Sequence, residues 1–342
     1  MGMRLIAVRS TAVALVGGGA LFLVVAVLLR SVDREVLPTL AALFRNGFGD
    51  RLGLTETLVR MTPLLLCAMA AALPAKAGLF NIGGEGQLYA GAMAASGVAL
   101  YAPFVPGVLV LPAMTLAAGL AGAAWGAIPG WLRGRWGVNE VLIGLMLNYV
   151  AIFLVQHLVH GPWKDPGALG WPYTARFAPD AVLPTVGTTN LHPGLLVGVA
   201  GCVLLWALLR STAWGFSLRI IERSPRTARY LKLPLAGHLM ASLAAGAVFA
   251  ALAGFGEASV VQGRLRPGLS PGYGYAGFLI AWLAGNHFLW MLPVAFLVAG
   301  LYSGADALQI TAGLPSATVD VFMGLVFITA LWLRASRVRA GE

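Results

Sequence analysis

Between apolar runs at 58–75 and 84–101 the chain reads Ala77-Gly-Leu-Phe-Asn-Ile-Gly-Gly-Glu-Gly-Gln87. Asn81, Glu85 and Gln87 stand there among four glycines. A regular lipid-facing helix cannot carry them, because polar groups at membrane depth are tolerated only where protein or water satisfies them. Glycine permits a broken or closely packed backbone at such a place. Two compatible readings follow. The stretch lines a pathway or gate, or it is a cytoplasmic turn in which Glu85 caps the N-terminus of the next apolar run.

Outward from this stretch the same alternation continues along the chain. A bilayer core about 30 Å thick takes roughly 20 apolar residues per helix, fewer where a helix is broken. Ten runs answer to this, at 11–29, 58–75, 84–101, 104–129, 139–160, 193–210, 237–257, 274–286, 288–306 and 319–333. The first is no signal peptide, being too long and ending in Leu-Leu-Arg without a small-residue cleavage site. Of the 342 residues 59% are hydrophobic and 11% charged, against roughly a quarter charged in soluble domains, which excludes a soluble protein. The 44 glycines and 19 prolines suit membrane helices, where small residues let backbones approach. The fold class is therefore an all-α polytopic membrane protein with about ten transmembrane helices.

Ten spans place both termini on one side, and Lys and Arg decide which. With the termini inside, the cytoplasmic segments hold Arg4, Arg9, Lys76, Arg133, Arg135, Arg210, Arg219, Arg223, Arg226, Arg229, Lys232, Arg334, Arg337 and Arg339, fourteen of the 23 basic residues. Only Glu85, Glu140, Glu222 and Glu342 oppose them there, so the whole net charge of +10 is cytoplasmic. The membrane explains that charge without nucleic acid, since no basic stripe is interleaved with aromatics.

The longest inner loop, from Arg210 to about Gly237, is too polar to insert. Ser224 followed by Pro225 is a helix start, with Ser as N-cap and Pro at the first position, and Pro234 ends the short helix. An ordinary positive-inside loop and a docking helix for a cytoplasmic partner both fit the composition, and the cap favours docking. Asn139 and Glu140 open the fifth span, and Asn148 with Tyr149 follows eight residues on, which places Glu140 and Asn148 on one helical face. Interhelical hydrogen bonding and pathway lining both account for Asn148. Gly122, Gly126 and Gly130 recur every four residues as a close-packing seam.

Other chemistries find little support. There is no Gly-Lys dipeptide and hence no phosphate-binding loop for ATP. Gly272-Tyr-Gly-Tyr-Ala-Gly277 matches a dinucleotide fingerprint in letters but precedes a membrane span and lacks the strand-helix-strand unit. Cys67 and Cys202 lie inside apolar runs, which disfavours a disulfide framework, and the His157/His160 pair lacks a third ligand. No metal site is expected.

Several segments together carry a resemblance: Gly78-Leu-Phe-Asn-Ile-Gly-Gly-Glu-Gly-Gln87, Asn139-Glu-Val, Met146-Leu-Asn-Tyr149, Leu218-Arg219, Pro225, Ala228-Arg-Tyr230, Gly272-Tyr-Gly274 and Thr318-Val-Asp-Val-Phe-Met-Gly324. In order and over nearly the whole chain, they resemble the permease subunits of bacterial ABC importers related to the branched-chain amino acid and ribose permeases. The nucleoside branch is the most similar. The resemblance implies a type II importer-like permease, residues 1–342 forming one transmembrane domain, with a cytoplasmic coupling loop at 211–236. It implies a multi-pass protein of the bacterial cytoplasmic (inner) membrane that imports nucleosides, purine nucleosides such as guanosine first, with ribose or another simple sugar as the alternative cargo.

The implied partners are an ABC ATPase subunit, which uses the ATP and Mg that this chain cannot, a second non-identical permease forming a heterodimer, and an extracytoplasmic substrate-binding lipoprotein. The coupling helix would comprise Arg219, Glu222, Pro225, Arg226, Ala228, Arg229 and Tyr230. The usual pattern there has an acidic residue and two alanines before a glycine; here Arg226 and Thr227 replace the first two and Lys232 stands near the glycine's place. For a neutral polar cargo, Asn81, Gln87, Asn148 and Tyr149 supply hydrogen-bonding and aromatic groups, with Glu85, Asn139 and Glu140 beside them. An ion-coupled secondary transporter or a membrane enzyme are the competing classes. The first predicts transport without an ATPase, the second a chemically altered substrate.

Overall fold

The computed structural model describes residues 19, 22–27, 29, 30 and 34–341. The span expected at 11–29 therefore lies largely outside the described residues. The described chain is helical: α1 (Val36–Phe48), α2 (Arg51–Ala75), α3 (Gly84–Tyr101), α4 (Gly107–Trp136), α5 (Glu140–His160), α6 (Gly194–Ser211), α7 (Ala213–Arg223), α8 (Pro225–Tyr230), α9 (Leu235–Gly256), α10 (Tyr273–Leu283), α11 (Phe288–Ala312) and α12 (Ser316–Gly341). A π-helical turn, Glu257–Val261, continues α9. Six of these helices, α2, α4, α5, α6, α9 with its π turn, and α11, are long and apolar enough to cross a membrane. The protein is a multi-pass membrane protein.

Helix ends depart from the sequence reading where polar residues still favour helix. α2 begins at Arg51 rather than 58 and α4 runs to Trp136 rather than 129, because helix geometry satisfies the backbone past the hydrophobic boundary. Gly137 ends α4 in the left-handed conformation (φ 68°), with Arg133 and Arg135 in the last turn, where cations suit the helix dipole. Besides the expected short helix α8, two helices lie outside the ten expected runs: α1 at 36–48, and 213–223, read as loop, which is the amphipathic helix α7 burying Gly215, Leu218 and Ile221.

The chain divides into two compact units. One comprises residues up to 60 and from 296 onward. In it α1 and α11 meet through glycine, since a Cβ at Gly47 or Gly304 would overlap the Gly300 or Leu43 carbonyl. Thr57 donates to the Gly47 carbonyl (2.8 Å), and Arg60 pairs with Asp306.

The second unit, residues 61–295, holds every expected pathway and coupling residue. Residues 61–74 of α2 are buried without a break. α4 packs along α9 through the expected glycine seam: a Cβ on Gly122, Gly126 or Gly130 would lie 2.7 Å from the Ala247 carbonyl, 2.7 Å from the Leu243 carbonyl or 2.6 Å from Met240 Cα. Gly134 extends the seam to Ala236. Lipid is as apolar as leucine, so such contact is held by dispersion between closely apposed backbones rather than by the hydrophobic effect.

Candidate functional site

Pro74 ends α2's regular bonding, for its ring nitrogen cannot donate to the Ala70 carbonyl four residues back. Asn81 takes that carbonyl: its Nδ2 donates to Ala70 O (2.9 Å) and to Gln87 Oε1 (3.0 Å). Its Oδ1 accepts from the Gly83 N–H (3.1 Å) and from Gln87 Nε2 (3.0 Å). Asn81 and Gln87 thus form a reciprocal amide pair, both buried. The chain turns back into α3 around it, with Gly78 left-handed at φ 75°.

Two helix starts are capped from outside. Asn148, fully buried on α5, accepts the Gly86 N–H of α3's first turn (2.8 Å) and donates to the Ile82 carbonyl (2.9 Å) and the Tyr275 hydroxyl (3.2 Å). A side chain on Gly86 would meet Asn148 Cα at 2.9 Å, so glycine alone admits this approach. Glu85 caps a helix, but not its own. Its carboxylate accepts the Gly274 N–H (2.7 Å) in the first turn of α10. A negative charge at a helix N-terminus is favourable. Ser270 Oγ in turn accepts the Gly272 and Tyr273 N–H groups (3.1 and 2.9 Å).

The apparent dinucleotide fingerprint is the other half of this packing. A Cβ on Gly274 would lie 2.5 Å from Glu85 Cα, and one on Gly277 would lie 2.5 Å from Cys67 Cβ. Gly274, Ser270 and Tyr275 are the site residues that sequence reasoning missed. The glycine spacing was visible, but a polar partner nearly two hundred residues earlier leaves no local signal.

Of the seven residues expected along a pathway, Asn81, Glu85, Gln87 and Asn148 come together in this knot. Glu140 is buried at its edge, accepting the Phe80 N–H (3.3 Å) and pairing with Arg133 Nε (3.3 Å). Asn139 is the N-cap of α5, its Oδ1 accepting the Val141 N–H (2.9 Å), and is exposed. Tyr149 is 54% exposed on the opposite face from Asn148, stacked on Phe153 at 6.4 Å. α5 is two-faced: Glu140, Gly144, Asn148 and Ala151 are buried, while Leu142, Met146, Tyr149 and Phe153 stand open.

The segment expected to couple to an ATPase forms an elbow of two helices. Thr212 Oγ1 accepts the Gly215 N–H (3.2 Å) to start α7, and Gly215 passes the end of α6 so closely that a Cβ would lie 2.5 Å from Leu209 Cα. Ser224 Oγ accepts the Thr227 N–H (3.2 Å) and Pro225 occupies the first position, as the sequence predicts. Ala228 is buried and fixes α8, leaving Pro225, Arg226, Arg229 and Tyr230 exposed, with Arg219 and Glu222 exposed on α7. Tyr230 is 88% exposed. Beyond α8, Lys232 adopts φ 54°, a left-handed conformation that favours glycine. Behind the elbow, burial holds the Lys76 ammonium below its ordinary range, and the Glu222 charge partly offsets this.

Among the described residues no group of three metal-ligating side chains occurs. Residues 53–331 match the family model for the permease component of the branched-chain amino acid transport system. The chain is 36% identical over 313 residues to a glucose ABC transporter permease, TsgB13, of Haloferax volcanii, covering 88% of this chain and 82% of that one. It is 29% identical over 299 residues to a guanosine ABC transporter permease, NupP, of Bacillus subtilis, covering 84% and 83%. To a nucleoside ABC transporter permease, NupB, of Lactococcus lactis it is 28% identical over 321 residues, covering 88% and 87%.

Proposed function

We propose that this chain, which belongs to the branched-chain amino acid transport system permease family, is the membrane-spanning subunit of an ABC importer that carries a neutral, hydroxyl-rich cargo into the cell. The match over residues 53–331 is the observation that supports the reading. Ten transmembrane helices, cytoplasmic termini and a place in the bacterial inner membrane belong to the same proposal, argued from the basic inner segments. The chain itself is not an enzyme: a separate ATPase subunit binds ATP and Mg, closes on them, and moves this subunit through α7 and α8. A second, non-identical permease completes the transmembrane pair, and an extracytoplasmic binding lipoprotein delivers cargo.

Within the pathway the buried residues Asn81, Glu85, Gln87, Glu140 and Asn148 form a rigid wall whose hydrogen bonds are spent on the backbone. Asn139 and Tyr149, on open surface, are the members of the set placed to meet cargo. A purine nucleoside such as guanosine is the leading cargo, because the stretch from Gly78 to Gln87 is most similar to that branch and an aromatic side chain such as Tyr149 suits a base. A simple sugar is the second reading, favoured by the 36% identity to a permease named for glucose. Competition separates them: in vesicles holding the assembled complex, labelled guanosine uptake is inhibited by adenosine and uridine but not by glucose or ribose. Competition by the sugars alone moves the cargo to sugars.

A further inference from the structure

The inner ends of α2, α6 and the α10–α11 turn converge on a cleft of about 390 Å³ beside α7. Lys76, Arg210, Arg219 and Arg223 line it, with Glu222 as the only acidic residue of the lining and His287 at its edge. Among the described residues none of the four cations forms an ion pair. Four cations around one carboxylate repel one another, and a cleft of this kind is relieved by an anion. At the same cleft the Oδ1 of Asn286 is buried without a hydrogen-bond partner, which calls for a hydroxyl or ammonium donor. Asn286 is fixed there by a left-handed backbone (φ 54°) and by its N–H donating to the Ala281 carbonyl (2.7 Å).

The surroundings are those of a membrane interface. Arg210 lies over the Trp206 ring, 5.6 Å from its centroid, and both line the cleft. α7 buries Leu218 and Ile221 while Phe216 is 58% exposed, the amphipathic pattern of a helix at the headgroup boundary. The cleft lies where two apolar helices end and a third begins, so its depth is that of lipid phosphate.

We propose that this cleft binds the phosphodiester of an anionic phospholipid, with Lys76, Arg210 and Arg223 around the phosphate and Asn286 accepting from a headgroup hydroxyl, as in phosphatidylglycerol. Basic pockets between membrane helices take such headgroups. A bound lipid here wedges the α6–α7 elbow against α2, holding α7 through Arg223 at its C-terminal end and leaving α8 free. The chemistry recognised is a phosphate ester, and a soluble phosphate shares it.

The test is native mass spectrometry of the full-length chain released from mixed phosphatidylglycerol and phosphatidylcholine vesicles, with fold checked by thermal unfolding. The expected result is selective retention of phosphatidylglycerol, with affinity falling about fivefold per removed cation in Arg210→Gln and Lys76→Gln. Arg135→Gln, which removes one exposed charge at the end of α4, retains the lipid. Glycerol phosphate in excess does not displace it. Equal retention of the two lipids overturns the proposal, as does loss in Arg135→Gln as large as in Arg210→Gln. Displacement by glycerol phosphate assigns the site to a soluble phosphate ester and overturns the lipid assignment. The comparison of two lipids on the unaltered chain decides the matter even if a variant fails to fold.

Discussion

Asn148 is fully buried, and replacing it by Ala strips the Gly86 N–H and the Ile82 carbonyl of their partners. Each orphaned group costs about 1 to 3 kcal/mol, so Asn148→Ala lowers the unfolding temperature of the purified chain by several degrees, while Tyr149→Ala, on exposed surface, leaves it nearly unchanged. Equal effects of the two would sink the division of α5 into a structural and an open face. His192 makes a pH prediction. It is buried, its Nδ1 accepts the Gly194 N–H (3.1 Å), and burial depresses its pKa. A neutral folded imidazole gains its proton on unfolding once the pH falls below the ordinary value near 6.5, so its contribution is whole above that value and is lost as pH drops toward the depressed one. Thermal melts from about pH 7.5 to 5 therefore show a loss that His192→Asn, whose amide can still accept the Gly194 N–H, diminishes. Asn81, Glu85, Gln87 and Asn148 stood out in the sequence because polar side chains in apolar runs need partners. Their partners did not, since Ala70, Gly274 and Tyr275 are joined to them by the fold alone.

The α4–α9 seam was legible as an element because a four-residue glycine repeat puts every small residue on one helical face. Its steric demand is selective. A Cβ at Gly126 would lie 2.7 Å from the Leu243 carbonyl, whereas one at Gly119 meets only Val248 Cγ1 at 3.7 Å. Gly126→Ala is accordingly destabilising by about 1 to 3 kcal/mol, and Gly119→Ala neutral within about 0.5 kcal/mol, in unfolding of the purified protein; similar melting of both variants would refute the seam. α7 escaped the sequence reading for the opposite reason. Its charge density marks a loop, and only the elbow at Gly215, with Leu218 and Ile221 packed beneath, makes a helix of it. α8 was legible from Ser224 and Pro225 alone, since capping chemistry is local. Arg226, exposed on α8, stands where the pattern of similar permeases has an acid. If its charge meets complementary acids on the ATPase, Arg226→Glu lowers cargo-stimulated ATP hydrolysis in the assembled complex at least about tenfold, and an unimpaired rate would remove Arg226 from the coupling contact.

At the scale of the molecule, composition places the chain in a membrane, and the distribution of Lys and Arg carries the expectation that most of the basic residues face inside. Those properties are sums over many residues and survive any misplaced helix end. The cargo is not such a sum. It depends on a few side chains, and the buried polar residues that attract attention in the sequence are occupied in holding α2, α3, α5 and α10 together. The central proposal is that transport by this chain is driven by ATP hydrolysed on another subunit. The most direct measurement reconstitutes the chain in liposomes with and without its ATPase and permease partners, binding protein outside, and follows labelled guanosine and glucose. The account predicts accumulation of unchanged cargo only in the complete assembly with ATP on the ATPase side. Accumulation by this chain alone under a proton or sodium gradient, with no ATPase present, would contradict it.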